Sequence, residues 1–187
     1  MGGEPIKERL LEGAIACLQR QGYAATTARD IAAEAHANLR SIGYHYGSTQ
    51  RLLLAAISAN WRRWLAPLIA AASSTERPPR ERLIEGMTLF HSALSENAPM
   101  AHAWLEAVTI APRDRDLRAT LAANQQEFRA ALARTLAAAG QPQPEHRAGA
   151  IITVCDGLIV RYILHGEVDR PADIAQHAAA ALAATDE

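Results

Sequence analysis

At 187 residues, 49% hydrophobic but only 5% aromatic, the chain has room for one or two small domains with a sizeable core. Its net charge of −1 excludes a strongly basic protein that coats nucleic acid along its whole surface. Forty-one alanines, and no long alternating run of β-branched residues, point away from a sheet and toward an all-α protein.

Leu11, Ala14, Ile15 and Leu18 recur at helical spacing in a segment that ends at Gly22, a helix-stop signal. A second helix starts after Thr26-Thr27. Thr27 is its cap, and Asp30 stands three residues on, where a capping box closes. Ile31, Ala32 and Ala35 form its small apolar face. Asn38 caps a third helix over about 39–46. Gly47-Ser48 then breaks the chain, and Ser48 caps a long fourth helix over roughly 49–72. Residues 73–79 are polar and Pro-rich, hence a loop. Later breaks at 97–99, 111–112, 140–144 and 166–171 mark five more helices near 80–96, 99–111, 114–139, 144–165 and 171–184. The expectation is about nine helices: a three-helix head over 1–48 and a larger helical body over 49–187.

The stretch 26–54 encodes two short helices, a tight connection and the start of a long helix, the layout of a helix-turn-helix whose second helix enters the DNA major groove. Charge agrees with that. Residues 1–64 carry eight basic and five acidic groups, and residues 65–187 carry eleven and fifteen. A mildly basic N-terminal part suits a protein that presents one end to DNA. Eighteen of the nineteen basic residues are Arg, which reads as a composition bias. Cys17 and Cys155 lie far apart and match no metal or redox motif, so reduced thiols in a cytoplasmic protein are expected. No signal peptide and no apolar run long enough to span a bilayer is evident, and no membrane partner is expected.

Gly22-Tyr23, Thr26-Thr27, Arg29-Asp30-Ile31-Ala32, Ala35, Ile42, Tyr44-His45-Tyr46-Gly47-Ser48 and Leu52-Leu53 follow one another in a specific order and spacing. Together they resemble the N-terminal domain of TetR-type transcriptional repressors, over roughly residues 6–56. The resemblance implies an Ω-shaped homodimer with a DNA-binding head and a helical body on each subunit. It implies a small-molecule pocket in the body and a four-helix dimer interface built from the last two helices. It also implies that an effector moves the heads apart and releases a double-stranded DNA operator.

The residues themselves support those roles. A recognition helix offers its N-terminal residues first, so Leu39, Arg40 and Ser41 are best placed to meet base edges. Arg40 can donate two hydrogen bonds to a guanine. Arg29, which the resemblance also places at a guanine, could instead pair with Asp30 or Glu34. Thr27, Tyr44 and His45 suit phosphate or base contacts, and the helix starts at Thr27 and Ser48 offer backbone N–H groups to phosphates. Tyr46 reads as an aromatic core position.

Three positions depart from the family pattern. His36 stands where a left-handed turn usually carries Gly. Gly43 replaces a Tyr that often touches the DNA backbone; it either lets the helix approach the groove closely or bends it. Thr49 replaces a phosphate-binding Lys, leaving Arg51 as the candidate substitute.

In the body, Gly149, Thr153 and Gly157 repeat every four residues, flanked by Ile152, Leu158, Val160 and Ile163. Such a stripe fits a helix-packed homodimer interface, or packing inside a monomer. Met87, Phe90, His91, Trp104, Leu105, Val108, Phe128 and Tyr162 are candidates to line an effector pocket, and equally read as plain core. His102 and Glu106, four apart, could pair or share a metal, but no further ligands accompany them. Asp156 and Arg161 read as pairing or capping groups. No nucleophile–base pair, phosphate loop or metal quartet supports an enzyme, and no cofactor is implied. The leading reading is a ligand-responsive, dimeric, sequence-specific repressor with an effector of unknown identity. A helical ligand-binding or adaptor protein whose head has lost DNA affinity is the other, motivated by His36, Gly43 and Thr49.

Overall fold

A computed structural model describes residues 5–73 and 77–166. Among the described residues the chain is all-α, with eight α-helices. They are α1 (Ile6–Ala25), α2 (Ala28–Glu34), α3 (Leu39–Tyr46), α4 (Thr49–Ser73), α5 (Pro79–Glu96), α6 (Ala98–Ile110), α7 (Arg115–Ala138) and α8 (Pro144–His165). A short 3-10 turn, Ala111–Arg113, precedes α7. The ninth expected helix, over 171–184, lies outside the described residues.

Side chains that satisfy free backbone donors set the early boundaries. Thr27 accepts from the Asp30 amide, and the Asp30 carboxylate accepts from the Thr27 amide at 3.0 Å, closing the expected capping box. The Asn38 side chain accepts from the Arg40 amide at 2.9 Å and starts α3. Ser48 Oγ accepts from the Arg51 amide at 3.1 Å at the start of α4. His36 does adopt the left-handed conformation, at φ 47°. Its amide donates to Ala33 and that of Ala37 to Ala32, so the last carbonyls of α2 are satisfied.

One boundary differs from expectation. Gly22 does break the helix, with φ 81° and ψ 179°, but a further turn follows and α1 runs on to Ala25. The stop signal acts as a kink because the amides beyond it find a distant acceptor, described below.

The chain divides into two compact units, residues 1–61 with 97–121, and residues 62–96 with 122–187. In the first, α1 packs on α2 and α6, and α2 on α3. Leu10, Ala14, Cys17 and Leu18 of α1, Ile31 of α2, Ile42 of α3, Leu52 and Ile57 of α4 and Met100 of α6 are buried there. Full burial of each large aliphatic side chain contributes about 1.5–3 kcal/mol. In the second unit, α5 packs on α8, and Met87, Phe90, Phe128, Leu132, Ile151, Cys155 and Ile159 are buried.

Helix α8 corrects one expectation. At 22 residues and mean hydropathy 1.5 it is long and apolar enough to cross a membrane by length and composition alone. One face of it is buried in the protein and the other is open. Ala148, Ile151, Ile152, Cys155, Leu158 and Ile159 bury one face, as in the core helix of a bundle. Asp156 sits at the edge of that face. Gln125 donates to its Oδ2 at 3.2 Å, while its Oδ1 is buried without a hydrogen-bond partner.

Burial pushes the Asp156 carboxyl from 3.8 up to about 6. A raised carboxyl pKa means the folded chain holds the proton more tightly than the unfolded one. The resulting penalty is absent below about pH 4 and grows as pH rises through about 6. Asp156→Asn should therefore stabilise the protein at about pH 8, on the order of 1 kcal/mol after discounting for partial exposure. The gain should vanish near pH 4. Thermal unfolding at the two pH values checks this, and an equal shift at both would contradict it.

Candidate nucleic-acid interface

Helix α3 carries its apolar anchor and its polar face on opposite sides. Ile42 is buried against the head core. Tyr46 Oη donates to the Lys7 carbonyl at 2.8 Å, tying the end of α3 back to α1 and making this tyrosine structural. The opposite face is open: Leu39 is 47% and Tyr44 86% exposed, and Arg40 and Gly43 are exposed beside them. Such apolar exposure on an otherwise anchored helix marks a contact surface. Tyr44 meets the His45 ring edge-on at 4.9 Å between centroids, so the two rings stand together at its rim. Ser41 is half-buried, and its amide donates to the Asn38 carbonyl at 2.9 Å.

The two alternatives for Arg29 separate here. Glu34 pairs with Arg20 at 2.8 Å, and Asp30 accepts from Thr27 and Gln21. Both carboxylates that could hold Arg29 are thus engaged, and Arg29 is exposed with no partner among the described residues. Hydrogen bonds from the Thr27 hydroxyl and amide, and then from Gln21, hold the Asp30 carboxyl below its usual range. Thr27 itself donates its hydroxyl to Asp30 at 2.6 Å, so any phosphate at the start of α2 meets backbone amides before that hydroxyl.

Gly43 does not bend α3, which is continuous to Tyr46, and a Cβ built on it meets nothing within 4 Å. The fold does not need a glycine there, and the expected bend is not seen. Thr49 is half-buried. Arg51 is exposed and lies across Gly47, its Nη1 3.3 Å from where a Cβ would be. One cation therefore stands at the α3–α4 junction.

The body residues are placed as follows. Trp104 stacks on Trp61 at 5.4 Å and 11°, within the first unit, where Leu105 and Val108 are half-buried. Met87, Phe90 and Phe128 are buried in the second unit, where His91 and Tyr162 meet edge-on at 6.3 Å. On α8, Thr153, Gly157 and Val160 lie on one open face together with Leu164. Gly149 is set apart: the Arg129 guanidinium lies 3.5 Å from its Cβ position.

Glu106 was legible only as a partner for His102. Instead its carboxylate accepts from the Tyr23 amide at 2.7 Å and the Ala24 amide at 3.1 Å. It forms one wall of an open groove of about 490 Å³ between α1 and α6, which Arg20 and His102 also line. Among the described residues no cluster of His, Cys, Asp and Glu could hold a metal. The sequence signal for this contact is weak, since the partners stand 83 and 82 residues apart.

Comparison with known proteins finds two family matches along the chain. The family profile described as "Bacterial regulatory proteins, tetR family" matches residues 10–56, and that described as "BetI-type transcriptional repressor, C-terminal" matches residues 79–187. No curated protein matches the chain. Among solved structures, a TetR transcription regulator from Haloarcula marismortui is 21% identical, with a TM-score of 0.75 over 96% of this chain and 97% of that one. A TetR-like transcriptional regulator from Rhodococcus sp. RHA1 is 19% identical, with a TM-score of 0.69 over 98% of each chain. The multidrug binding protein EbrR, complexed with imidazole, is 20% identical, with a TM-score of 0.71 over 96% of each chain.

Two outcomes test the interface. Gly43→Ala should stabilise the free protein by roughly 0.5–1 kcal/mol in urea denaturation, since the added methyl has open space and helical backbone. A loss of stability would show that α3 itself requires the glycine. Arg51→Ala should flatten the dependence of log K for duplex DNA on log salt by about 1 per subunit. An unchanged slope would remove Arg51 from the phosphate contacts.

Proposed function

The chain belongs to the TetR family of transcriptional regulators and has a DNA-binding N-terminal domain, and on that footing we propose that it is a cytoplasmic homodimeric repressor released from a palindromic operator by a small-molecule effector. DNA binding resides in residues 1–48, and effector binding and dimerisation in 49–187. The observation that carries this reading is the open face of α3, where Leu39, Arg40 and Tyr44 have their side chains turned to solvent above a buried Ile42.

Leu39, Arg40 and Ser41 lead into the major groove, and Arg40 reads a guanine through its two-pronged donor edge. Arg29, left unopposed by the engagement of Asp30 and Glu34, supports it. Gly43 lets the helix sit close to the duplex while Tyr44 and His45 reach to its side. Thr27, Ser48 and Thr49 mark the helix starts whose backbone amides face phosphates. Two heads held by one dimer read two half-sites about one helical turn apart.

The open face of α8 supports the dimer. Gly157 has no atom within 4 Å of a built Cβ, and Thr153, Val160 and Leu164 stand beside it, so a second helix can approach closely. Gly149 borders this face. The effector pocket is proposed within the second unit, among Met87, Phe90, His91, Phe128 and Tyr162. The fold shared with a multidrug binding protein solved with imidazole supports a small organic ligand there.

Random duplexes selected by the purified protein should enrich one palindrome. Arg40→Ala should then weaken binding to it by about 1–3 kcal/mol and relax preference at a single base pair per half-site. If no sequence is enriched even at low salt, the repressor reading fails and an adaptor without DNA affinity takes its place. Sedimentation at micromolar concentration should give a dimer, and Gly157→Trp should shift it toward monomer. A wild-type monomer would refute the homodimer.

A further inference from the structure

We propose that Glu106 is a positioning residue for DNA binding: from α6 it holds the elbow between α1 and α2, and so sets the attitude of α3. This rests on the reading of α3 as the helix that meets DNA.

The elbow begins where Gly22 leaves helical geometry, at φ 81° and ψ 179°. That break takes the next amides off the helical ladder, and a backbone donor left without an acceptor is costly. Glu106 supplies both acceptors from one side chain, Oε2 to the Tyr23 amide at 2.7 Å and Oε1 to the Ala24 amide at 3.1 Å. Hydrogen bonds to a carboxylate are stronger than neutral ones, and a two-oxygen grip fixes direction as well as distance. The fit is close. Gly22 has the positive φ that favours glycine, and a Cβ there would lie 2.5 Å from Glu106 Oε2 and displace the carboxylate.

The other side of the elbow is braced to α2. Gln21 Nε2 donates to Asp30 Oδ2 at 3.0 Å and to the Ala25 carbonyl at 3.1 Å. Thr26 Oγ1 donates to the Gly22 carbonyl at 2.6 Å. Asp30 is also the residue that closes the cap of α2. A continuous set of hydrogen bonds therefore runs from α6, through the elbow, into the first turn of α2, which carries α3 after the tight turn at His36. The α6 end is itself held. Gln19 Nε2 donates to Asn97 Oδ1 at 3.0 Å beside the start of α6, and Trp104, two residues before Glu106, stacks on Trp61.

No neutral side chain reproduces this grip. Glutamine keeps one acceptor oxygen but turns an NH2 group toward the second amide. Alanine leaves both amides to solvent.

The test uses the full chain and, as probe, the palindromic duplex that the wild-type protein enriches from a random pool. Glu106→Ala should weaken binding about tenfold, the scale of one strong charged hydrogen bond, with Glu106→Gln in between. Thr109→Ala, which removes a hydroxyl bonded only to its own helix, should bind as wild type does. Amide exchange at Tyr23 and Ala24 should quicken in the Glu106 variants while exchange in α5 and α8 stays unchanged, a pattern that general destabilisation would not give. If Glu106→Ala fails to fold, the near-isosteric Glu106→Gln carries the test. Affinity within twofold of wild type in a folded Glu106 variant would overturn the proposal, as would unchanged exchange at both amides. If the wild-type protein enriches no duplex, the reading of α3 falls and this inference with it. If it enriches one that Glu106 variants bind equally well, only this inference falls.

Discussion

A backbone N–H inside a folded chain has to end on an acceptor, and the kink at Gly22 creates two that local structure cannot serve. Their acceptor is Glu106 on α6. The contact adds to the packing of α6 along α1, through which residues 97–121 join residues 1–61 in one compact unit. The helix-turn-helix thus shares its unit with a segment from the middle of the sequence.

Local capping chemistry was readable from sequence because donor and acceptor lie within one turn. Thr27 with Asp30, Asn38 with Arg40, and Ser48 with Arg51 all close where residue type and spacing place them. The left-handed turn at His36 was legible for the same reason. Four features were not. Gly22 carries the same letter whether it ends a helix or kinks one, and the difference lies with Glu106. Gly149 falls on the small-residue stripe of α8 by spacing, yet Arg129 of α7 lies against it. Arg29 could not be assigned until the partners of Asp30 and Glu34 were known. Helix α8 reaches membrane-like hydropathy although only one of its faces is buried, because its open face also carries Val160 and Leu164. The first three of these turn on a neighbour outside the local window that periodicity and capping rules inspect.

Gly43 and His36 show how a site departs from what folding alone favours. Gly43 lowers the intrinsic stability of α3, an eight-residue helix, by about 1 kcal/mol relative to alanine. No neighbour uses the space that it leaves. His36 accepts a backbone conformation that glycine would adopt with less strain. The rest of the first unit offsets both. Ile42 and Tyr46 pin α3 at its middle and end, through burial and through the bond to the Lys7 carbonyl. A short helix anchored at two points can tolerate a weak residue between them, on the side that faces away from the core.

Electrostatics follows from the same pairing. The chain is nearly neutral, so a cationic surface arises only where acids are withdrawn from it. In the head, Glu34 is held by Arg20, and Asp30 by Thr27 and Gln21, within α1, α2 and the elbow. Those bonds engage both carboxylates, and Arg29, Arg40 and Arg51 stand exposed. A phosphate approaching this surface meets three exposed guanidinium groups, although the whole molecule carries a net charge of −1. Because Asp30 belongs at once to the α2 cap and to the brace on the elbow, the hydrogen bonds that tie the elbow to α2 also engage the carboxylate next to Arg29.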